Sequence, residues 1–193
     1  MIFLIMVLCS GHVSNRPYFL DIAFVIFVVA GLTDLIDGAI ARRLGVASRF
    51  GRIMDPLADK ALVCGAFFSF AVIGEPEFFG FSPLTLRIIL WLLASILALR
   101  EVYVTVLRQI AEARGINFAA TVSGKLKMFV QSFAIGTVLI KIAHFRAAVW
   151  ADWFTTIVLV LMLFVTVFSG VKATQRKSWK DAVKYPNGSG LQP

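Results

Sequence analysis

The residues best suited to chemistry in this chain are four aspartates in a short and otherwise apolar region: Asp34, Asp37, Asp55 and Asp59. In a helix that advances about 100° per residue, Asp34 and Asp37 share a face with the small residues Gly38 and Ala41. The second pair has i, i+4 spacing and therefore shares a face of the next helix. Two antiparallel helices would bring the four carboxylates together.

Four carboxylates so close repel one another and stay ionised only in a strong cation field. An oxygen donor set without His or Cys suits a hard cation, and Mg²⁺ completes its coordination with water and substrate phosphates. The aspartates therefore predict a site for two Mg²⁺ ions, with Mn²⁺ as the alternative. Gly38 and Ala41 leave room for a phosphate-bearing ligand whose charge Arg42 would meet. The competing interpretation is a structural junction in which nearby arginines neutralise the acids.

The elements that must position these residues are membrane helices. Of the 193 residues, 59% are hydrophobic and 16% charged, and the mean hydropathy is +0.85, which a soluble globular domain does not reach. We expect an all-α polytopic bundle of about six helices. Gly45 and Gly51 permit the chain to reverse after the second helix, and Pro56 suits the first turn of the third. The apolar runs are residues 2–9, 18–40, 57–79, 83–112, 125–145 and 149–171.

The net charge of +8 follows the topology of a membrane protein and does not indicate a nucleic-acid partner. Basic residues alternate between rich and poor junctions, and by the positive-inside rule the rich junctions are cytoplasmic. The aspartates and the C-terminus then face the cytoplasm. The rich junctions carry Arg42, Arg43, Arg49, Arg52, Arg108, Arg114, Lys125, Lys127, Lys172, Arg176, Lys177, Lys180 and Lys184.

The two ends of the chain differ from its middle. The first apolar run is too short to span about 30 Å of hydrocarbon, so we expect a truncated first helix. Composition changes abruptly after Lys172, which divides the chain into a membrane domain, residues 1–172, and a basic cytoplasmic tail, residues 173–193, that is partly disordered.

The aspartate region resembles the signature of the CDP-alcohol phosphatidyltransferases, D-x-x-D-G-x-x-A-R-x(8)-G-x-x-x-D-x-x-x-D. Every specified position is matched, by Asp34, Asp37, Gly38, Ala41, Arg42, Gly51, Asp55 and Asp59. The resemblance implies a six-helix membrane enzyme, usually a homodimer, that moves a phosphatidyl group from a CDP-linked lipid to an alcohol and releases CMP. A cation transporter, the main alternative from another class, would favour mid-span acids and internal repeats.

The resemblance also implies roles for the matched residues. Asp34, Asp37 and Asp55 would bind the metal ions, and Asp59 would be the general base that also contacts metal. The residues that would hold the CDP group are Asp34, Gly38, Ala41, Arg42 and Gly51.

The wider sequence resembles the branch of the family that makes phosphatidylglycerophosphate from CDP-diacylglycerol and glycerol 3-phosphate. A CMP-forming cardiolipin synthase, with phosphatidylglycerol as acceptor, is the alternative. A phosphorylated acceptor needs cationic anchors, and the candidates are Arg108, Lys125 and Lys127, which are otherwise ordinary positive-inside residues. Glu101 shares a stripe with Arg108 and would orient it. Arg100 forms either a buried ion pair or a substrate contact.

Overall fold

The chain folds into six α-helices in a computed structural model, which describes residues 2–13, 15–44, 49–113 and 122–175. A single 3₁₀ turn, Ser10–His12, follows the first helix. Every regular element in these ranges is helical, as predicted. The helices are α1 (Ile2–Cys9), α2 (Arg16–Leu44), α3 (Arg49–Ile73), α4 (Pro83–Ala113), α5 (Val122–His144) and α6 (Val149–Thr174).

Within the described residues, four helices are long and apolar enough to cross a membrane. Their apolar segments have mean hydropathies between 1.5 and 2.4, and two shorter apolar segments, Ile2–His12 and Lys60–Ile73, accompany them. Large apolar side chains also cover the outside of the bundle, including Leu84, Leu99 and Phe129, which are 71%, 70% and 69% exposed. A surface of this kind is stable only against lipid, so the protein is an integral membrane protein. The four segments are Arg16–Thr33, Pro83–Leu107, Leu126–His144 and Val149–Thr174.

The third helix differs from the sequence prediction at both ends. It begins at Arg49, so Pro56 lies in the body of the helix and not in its first turn. It ends at Ile73, six residues before the end of the apolar run, because Gly74 adopts a φ of +70°. The Glu75 amide then donates to the Phe70 carbonyl at 3.1 Å, which is the Schellman arrangement that closes a helix. Residues 74–82 consequently form a loop.

Small residues let the helices approach closely, as is usual where helices pack within lipid. A Cβ atom at Gly65 of α3 would lie 2.6 Å from Leu4 Cδ1 of α1, and one at Gly136 of α5 would lie 3.0 Å from Phe24 Cε2 of α2. Aromatic and aliphatic side chains fill the centre. Its most deeply buried large members include Phe3, Leu20, Phe70, Leu97, Ile135, Leu139, Ile142 and Met162.

The bundle has two ends with different polar chemistry. At one end, the start of α2 meets the α3–α4 loop and the α5–α6 loop, where Arg16 and Arg146 both pair with Glu75. Lys141 pairs there with Asp152 at 2.8 Å. The later part of α2, the beginnings of α3 and α5 and the last turns of α4 and α6 belong to the other end, which contains the aspartate signature. The loops that the structure describes between α3 and α4 and between α5 and α6 therefore meet at the first end.

Candidate active site

The signature residues lie on two consecutive helices, as the sequence predicts. The first five are in the second half of α2 and the last three are in α3. Leu44 and Arg49 are five residues apart, so the two helix ends are separated by at most about 18 Å. The side chains of residues 34–59 lie outside the described part of the structure. The four-carboxylate cluster and the CDP contacts therefore stay predictions.

The turn that follows Asp59 is tied to α4. Lys60 Nζ donates a hydrogen bond of 2.5 Å to Thr105 Oγ1, and Thr105 Oγ1 donates one of 2.6 Å to the Glu101 carbonyl. A threonine hydroxyl that binds the carbonyl four residues earlier keeps its lone pairs available for a second donor. This chain of hydrogen bonds holds the beginning of α3 beside the last turns of α4.

Glu101 is the centre of a buried polar network within the span of α4. Its Oε1 accepts hydrogen bonds from Lys127 Nζ of α5 and, at 3.1 Å, from Arg100 Nη1. The three side chains are only 5%, 8% and 11% exposed. Charges inside a membrane span require such pairing, because an isolated ion there is poorly solvated. The Glu101 carboxylate therefore allows two cations to remain charged near the signature.

Arg100 also connects α4 to α6. Its Nε donates to the Thr166 carbonyl at 2.9 Å and its Nη2 donates to Ser169 Oγ at 2.9 Å. The Arg100 side chain crosses α6 at Gly170, where a Cβ would lie 3.4 Å from Arg100 Cγ. Of the two alternatives for Arg100, the structure shows the buried ion pair.

The structure distinguishes among the predicted acceptor-binding residues. Lys127 is 7% exposed and ion-paired, so it is not a solvated anchor at the membrane surface. Arg108 lies in α4 and Lys125 in α5, but their side chains are outside the described residues. Glu101 pairs with Arg100 and Lys127, and an orienting role toward Arg108 stays a prediction.

The sequence did not predict the ion pair between Glu101 and Lys127, although the position of Lys127 indicated that it needs an acidic partner. Lys127 stands near the start of an apolar run, and a cation in such a place needs a partner at the same depth. Glu101 was the available acid, but the sequence pattern favoured Arg108, which lies on the same helix. Which helix faces which is a tertiary property.

Carboxylates fit the predicted metal chemistry, because divalent hard cations prefer oxygen donors. Among the residues whose side chains are described, no three His, Cys, Asp or Glu residues gather in a way that would hold a metal ion. The four signature aspartates therefore remain the candidate donor set.

Comparison with known proteins decides the class of the protein. The family model of the CDP-alcohol phosphatidyltransferases matches residues 1–170. The chain belongs to this family. It is therefore an enzyme, and the prediction from the signature is confirmed, whereas the alternative of a cation transporter is wrong. Phosphatidyltransferases of this family generally depend on a divalent metal ion.

Several bacterial phosphatidyltransferases are similar over most of the chain. A probable phosphatidylglycerophosphate synthase from Mycobacterium tuberculosis is 33% identical over 170 residues, which cover 86% of this chain and 69% of the relative. A CDP-diacylglycerol–glycerol-3-phosphate 3-phosphatidyltransferase from Bacillus subtilis is 32% identical over 163 residues, with coverages of 84% and 76%. The Escherichia coli protein of the same name is 30% identical over 159 residues, with coverages of 78% and 79%.

Proposed function

We propose that this phosphatidyltransferase transfers the phosphatidyl group of CDP-diacylglycerol to glycerol 3-phosphate, giving phosphatidylglycerophosphate and CMP. The observation that carries the proposal is the agreement among the relatives. Proteins from three distant bacteria, each similar over more than three quarters of this chain, are named for this product or for this acceptor. The complete signature supports the same chemistry.

The signature residues divide the work of the reaction. Asp34, Asp37 and Asp55, with Asp59, would hold two Mg²⁺ ions or two Mn²⁺ ions, which would neutralise the charge of the pyrophosphate. Gly38, Ala41, Arg42 and Gly51 accommodate the CDP group together with Asp34. All of these residues follow one another along α2 and α3, so a short segment of the chain supplies the whole donor-binding half of the site.

Asp59 is the general base. It accepts the proton of the attacking glycerol 3-phosphate hydroxyl while that oxygen bonds to the phosphatidyl phosphorus. The bond from this phosphorus to the bridging pyrophosphate oxygen breaks, and CMP leaves with the electron pair. The next residue, Lys60, is anchored to Thr105, which supports the helical turn that presents Asp59.

Lys127 belongs to the acceptor half of the site, with Arg108 and Lys125. An ammonium group has three N–H donors, and Glu101 takes one of those on Lys127. The others suit the phosphate of the acceptor, and Glu101 keeps the amine charged for that purpose within a membrane span. Glu101 is thus a positioning residue for Lys127.

The location of the site follows from its substrates. The acyl chains of CDP-diacylglycerol remain in the bilayer, while a soluble acceptor enters from the end of the bundle that carries the signature. The distribution of basic residues supports the cytoplasm as that side, and the bacterial relatives support the bacterial inner membrane as the location. The homodimer and the division into a membrane domain and a tail after Lys172 stay predictions.

The test is CMP release by the purified full chain in detergent with CDP-diacylglycerol and Mg²⁺. Glycerol 3-phosphate, phosphatidylglycerol, inositol phosphate and serine are compared as acceptors, and each assay is repeated with excess chelator. We expect release only with glycerol 3-phosphate and only without chelator. Release only with phosphatidylglycerol would instead identify a cardiolipin synthase, and release that survives the chelator would contradict the metal assignment.

The assignment of Asp59 has a matched control in the same chain. Asp59→Asn removes the base and should lower the rate of CMP release by at least about 100-fold, the lower range for general-base catalysis. Asp21→Asn makes the same chemical change at the other end of the bundle, where the Asp21 carboxylate is 46% exposed beside His144. We expect near-parental rates from that variant. Full turnover by Asp59→Asn would remove the base assignment.

A further inference from the structure

A cavity of about 510 Å³, lined by both charged and apolar side chains, lies at the end of the bundle opposite the signature. It is enclosed by the α3–α4 loop, the start of α4, the α5–α6 loop and the first turn of α6. Its volume falls within the range of small-molecule sites, about 300–1,000 Å³. The side chains that carry charge at its wall are Glu75, Glu77, Arg87, Arg146 and Asp152. The proposed phosphatidyl transfer uses none of them.

Only some of the cationic side chains at this cavity have an acidic partner. Lys141 forms an ion pair with Asp152, and Arg16 and Arg146 both form ion pairs with Glu75. Arg87 has no hydrogen-bond or ion-pair partner among the described residues, and its Nε lies 3.4 Å from the position of a Cβ on Gly74. A guanidinium held at a cavity wall without an acceptor is suited to bind a phosphate oxygen pair.

The acidic side of the cavity lacks a donor. Glu75 is 6% exposed, and its Oε2 has no hydrogen-bond partner within the described structure. This oxygen is closed to a water molecule, so the carboxylate that a ligand in the cavity can reach is that of Glu77. Glu77 adds an exposed carboxylate to the same wall. A matching ligand therefore carries a phosphate together with an N–H or O–H group.

Aromatic residues place the cavity at the level of the lipid headgroups. Phe79 and Trp153 contact each other at 5.0 Å between ring centroids, and Phe81, Trp150 and Trp153 are 51%, 61% and 59% exposed. Exposed aromatic rings at helix ends are typical of the membrane interface. Leu84, which is 71% exposed on the first turn of α4, extends the apolar surface beside Arg87 toward the bilayer.

We propose that this cavity binds the headgroup of a membrane phospholipid in the leaflet opposite the active site. Arg87 and Arg146 hold the phosphodiester, and the exposed Glu77 carboxylate accepts a hydrogen bond from an ammonium or hydroxyl group at the end of the headgroup. Phosphatidylethanolamine and phosphatidylglycerol have this chemistry. Phosphatidylcholine has no N–H or O–H donor in its headgroup, and inorganic phosphate has no acyl chains.

The test is native mass spectrometry of the full chain in detergent, titrated with short-chain phosphatidylethanolamine, phosphatidylglycerol, phosphatidylcholine or inorganic phosphate. The informative variant is Arg87→Ala, because this exposed side chain has no described partner whose loss would disturb folding. Lys172→Ala is the matched control, since it removes an exposed cation at the other membrane edge. Thermal unfolding and CMP release are measured for both variants.

We expect saturable binding of the two donor-bearing lipids, a loss of affinity of about tenfold in Arg87→Ala, and no change in Lys172→Ala. CMP release by Arg87→Ala should stay within about twofold of the parent, because the cavity is remote from the signature. Equal affinities of Arg87→Ala and the parent would overturn the proposal. It would equally be overturned if phosphatidylcholine or inorganic phosphate bound as tightly as phosphatidylethanolamine, or if no lipid bound saturably.

Discussion

The pairing of Glu101 with Lys127 makes a quantitative prediction about stability. Glu101→Gln keeps the shape of the side chain but removes the charge that neutralises Lys127 and Arg100. Their side chains are 8% and 11% exposed, so water compensates little. Breaking a buried ion pair from one side costs about 3–5 kcal/mol of unfolding free energy. Glu77→Gln makes the same change at an exposed position and should cost less than about 0.5 kcal/mol.

A double-mutant cycle separates the pair from its surroundings. Lys127→Met alone leaves Glu101 bound to Arg100, so we expect a smaller loss of about 1–3 kcal/mol. In the double variant Glu101→Gln/Lys127→Met both charges are gone and Arg100 retains its bonds to α6. The double variant should therefore be more stable than the sum of the single losses predicts, by about 1–3 kcal/mol.

The assay is equilibrium unfolding in mixed micelles with increasing dodecyl sulfate, followed by circular dichroism. Free energies are compared at a common detergent composition, and equal slopes confirm that the variants unfold from the same state. Losses that add within about 0.5 kcal/mol would refute the reasoning, because independent sites add to that precision. Equal stability of Glu101→Gln and Glu77→Gln would refute it as well.

Three further predictions concern other parts of the molecule. Lys127→Met should raise the KM for glycerol 3-phosphate at least about tenfold, because a lost charge-assisted hydrogen bond is worth about 1.5–3 kcal/mol. The KM for CDP-diacylglycerol should change less. Steady-state CMP release measures both constants, and equal effects on the two substrates would contradict the acceptor role. Glu75→Ala leaves two arginines without their shared carboxylate, but these are 22% and 42% exposed, so the loss of stability should be about 1–3 kcal/mol with unchanged turnover. Dodecyl sulfate unfolding measures that loss, and a turnover that falls in proportion to stability would argue against the separation of the two ends. Gly65→Val should destabilise by about 1–3 kcal/mol, because even its Cβ would lie 2.6 Å from Leu4 Cδ1. Gly31→Val, where a Cβ meets nothing within 4 Å, is the control, and Leu4→Ala should relieve part of the Gly65→Val loss in the same unfolding assay.

The sequence by itself determined the class of the molecule. Apolar runs long enough to cross a bilayer predict helices, because backbone polar groups in lipid must be satisfied within the segment. The spacing of the signature residues then identified the family, and the match over residues 1–170 confirms it. Both inferences depend on local features of the chain, which are periodicity, composition and the order of chemical groups.

The ends of the third helix show where local reasoning stops. Hydrophobicity extended this element to residue 79, whereas a single glycine at position 74 and the hydrogen bond from Glu75 to Phe70 end it at Ile73. Apolar residues occur in membrane-interface loops as well as in helices, so hydropathy does not mark the boundary. The loop that results forms one wall of the cavity at that end.

Only the tertiary structure decided which charges meet. Several helices carry basic residues that could pair with Glu101, and the sequence pattern favoured Arg108 on the same helix. The packing of α4 and α5 against α3 and α6 instead brings Glu101 to Lys127, while Arg100 turns to Thr166 and Ser169. The Glu75 carboxylate likewise pairs with Arg16 and Arg146, which are 59 and 71 positions away from it in the sequence. Such pairs depend on the rotation and depth of whole helices, which are set by side-chain packing across the bundle and not by any local pattern.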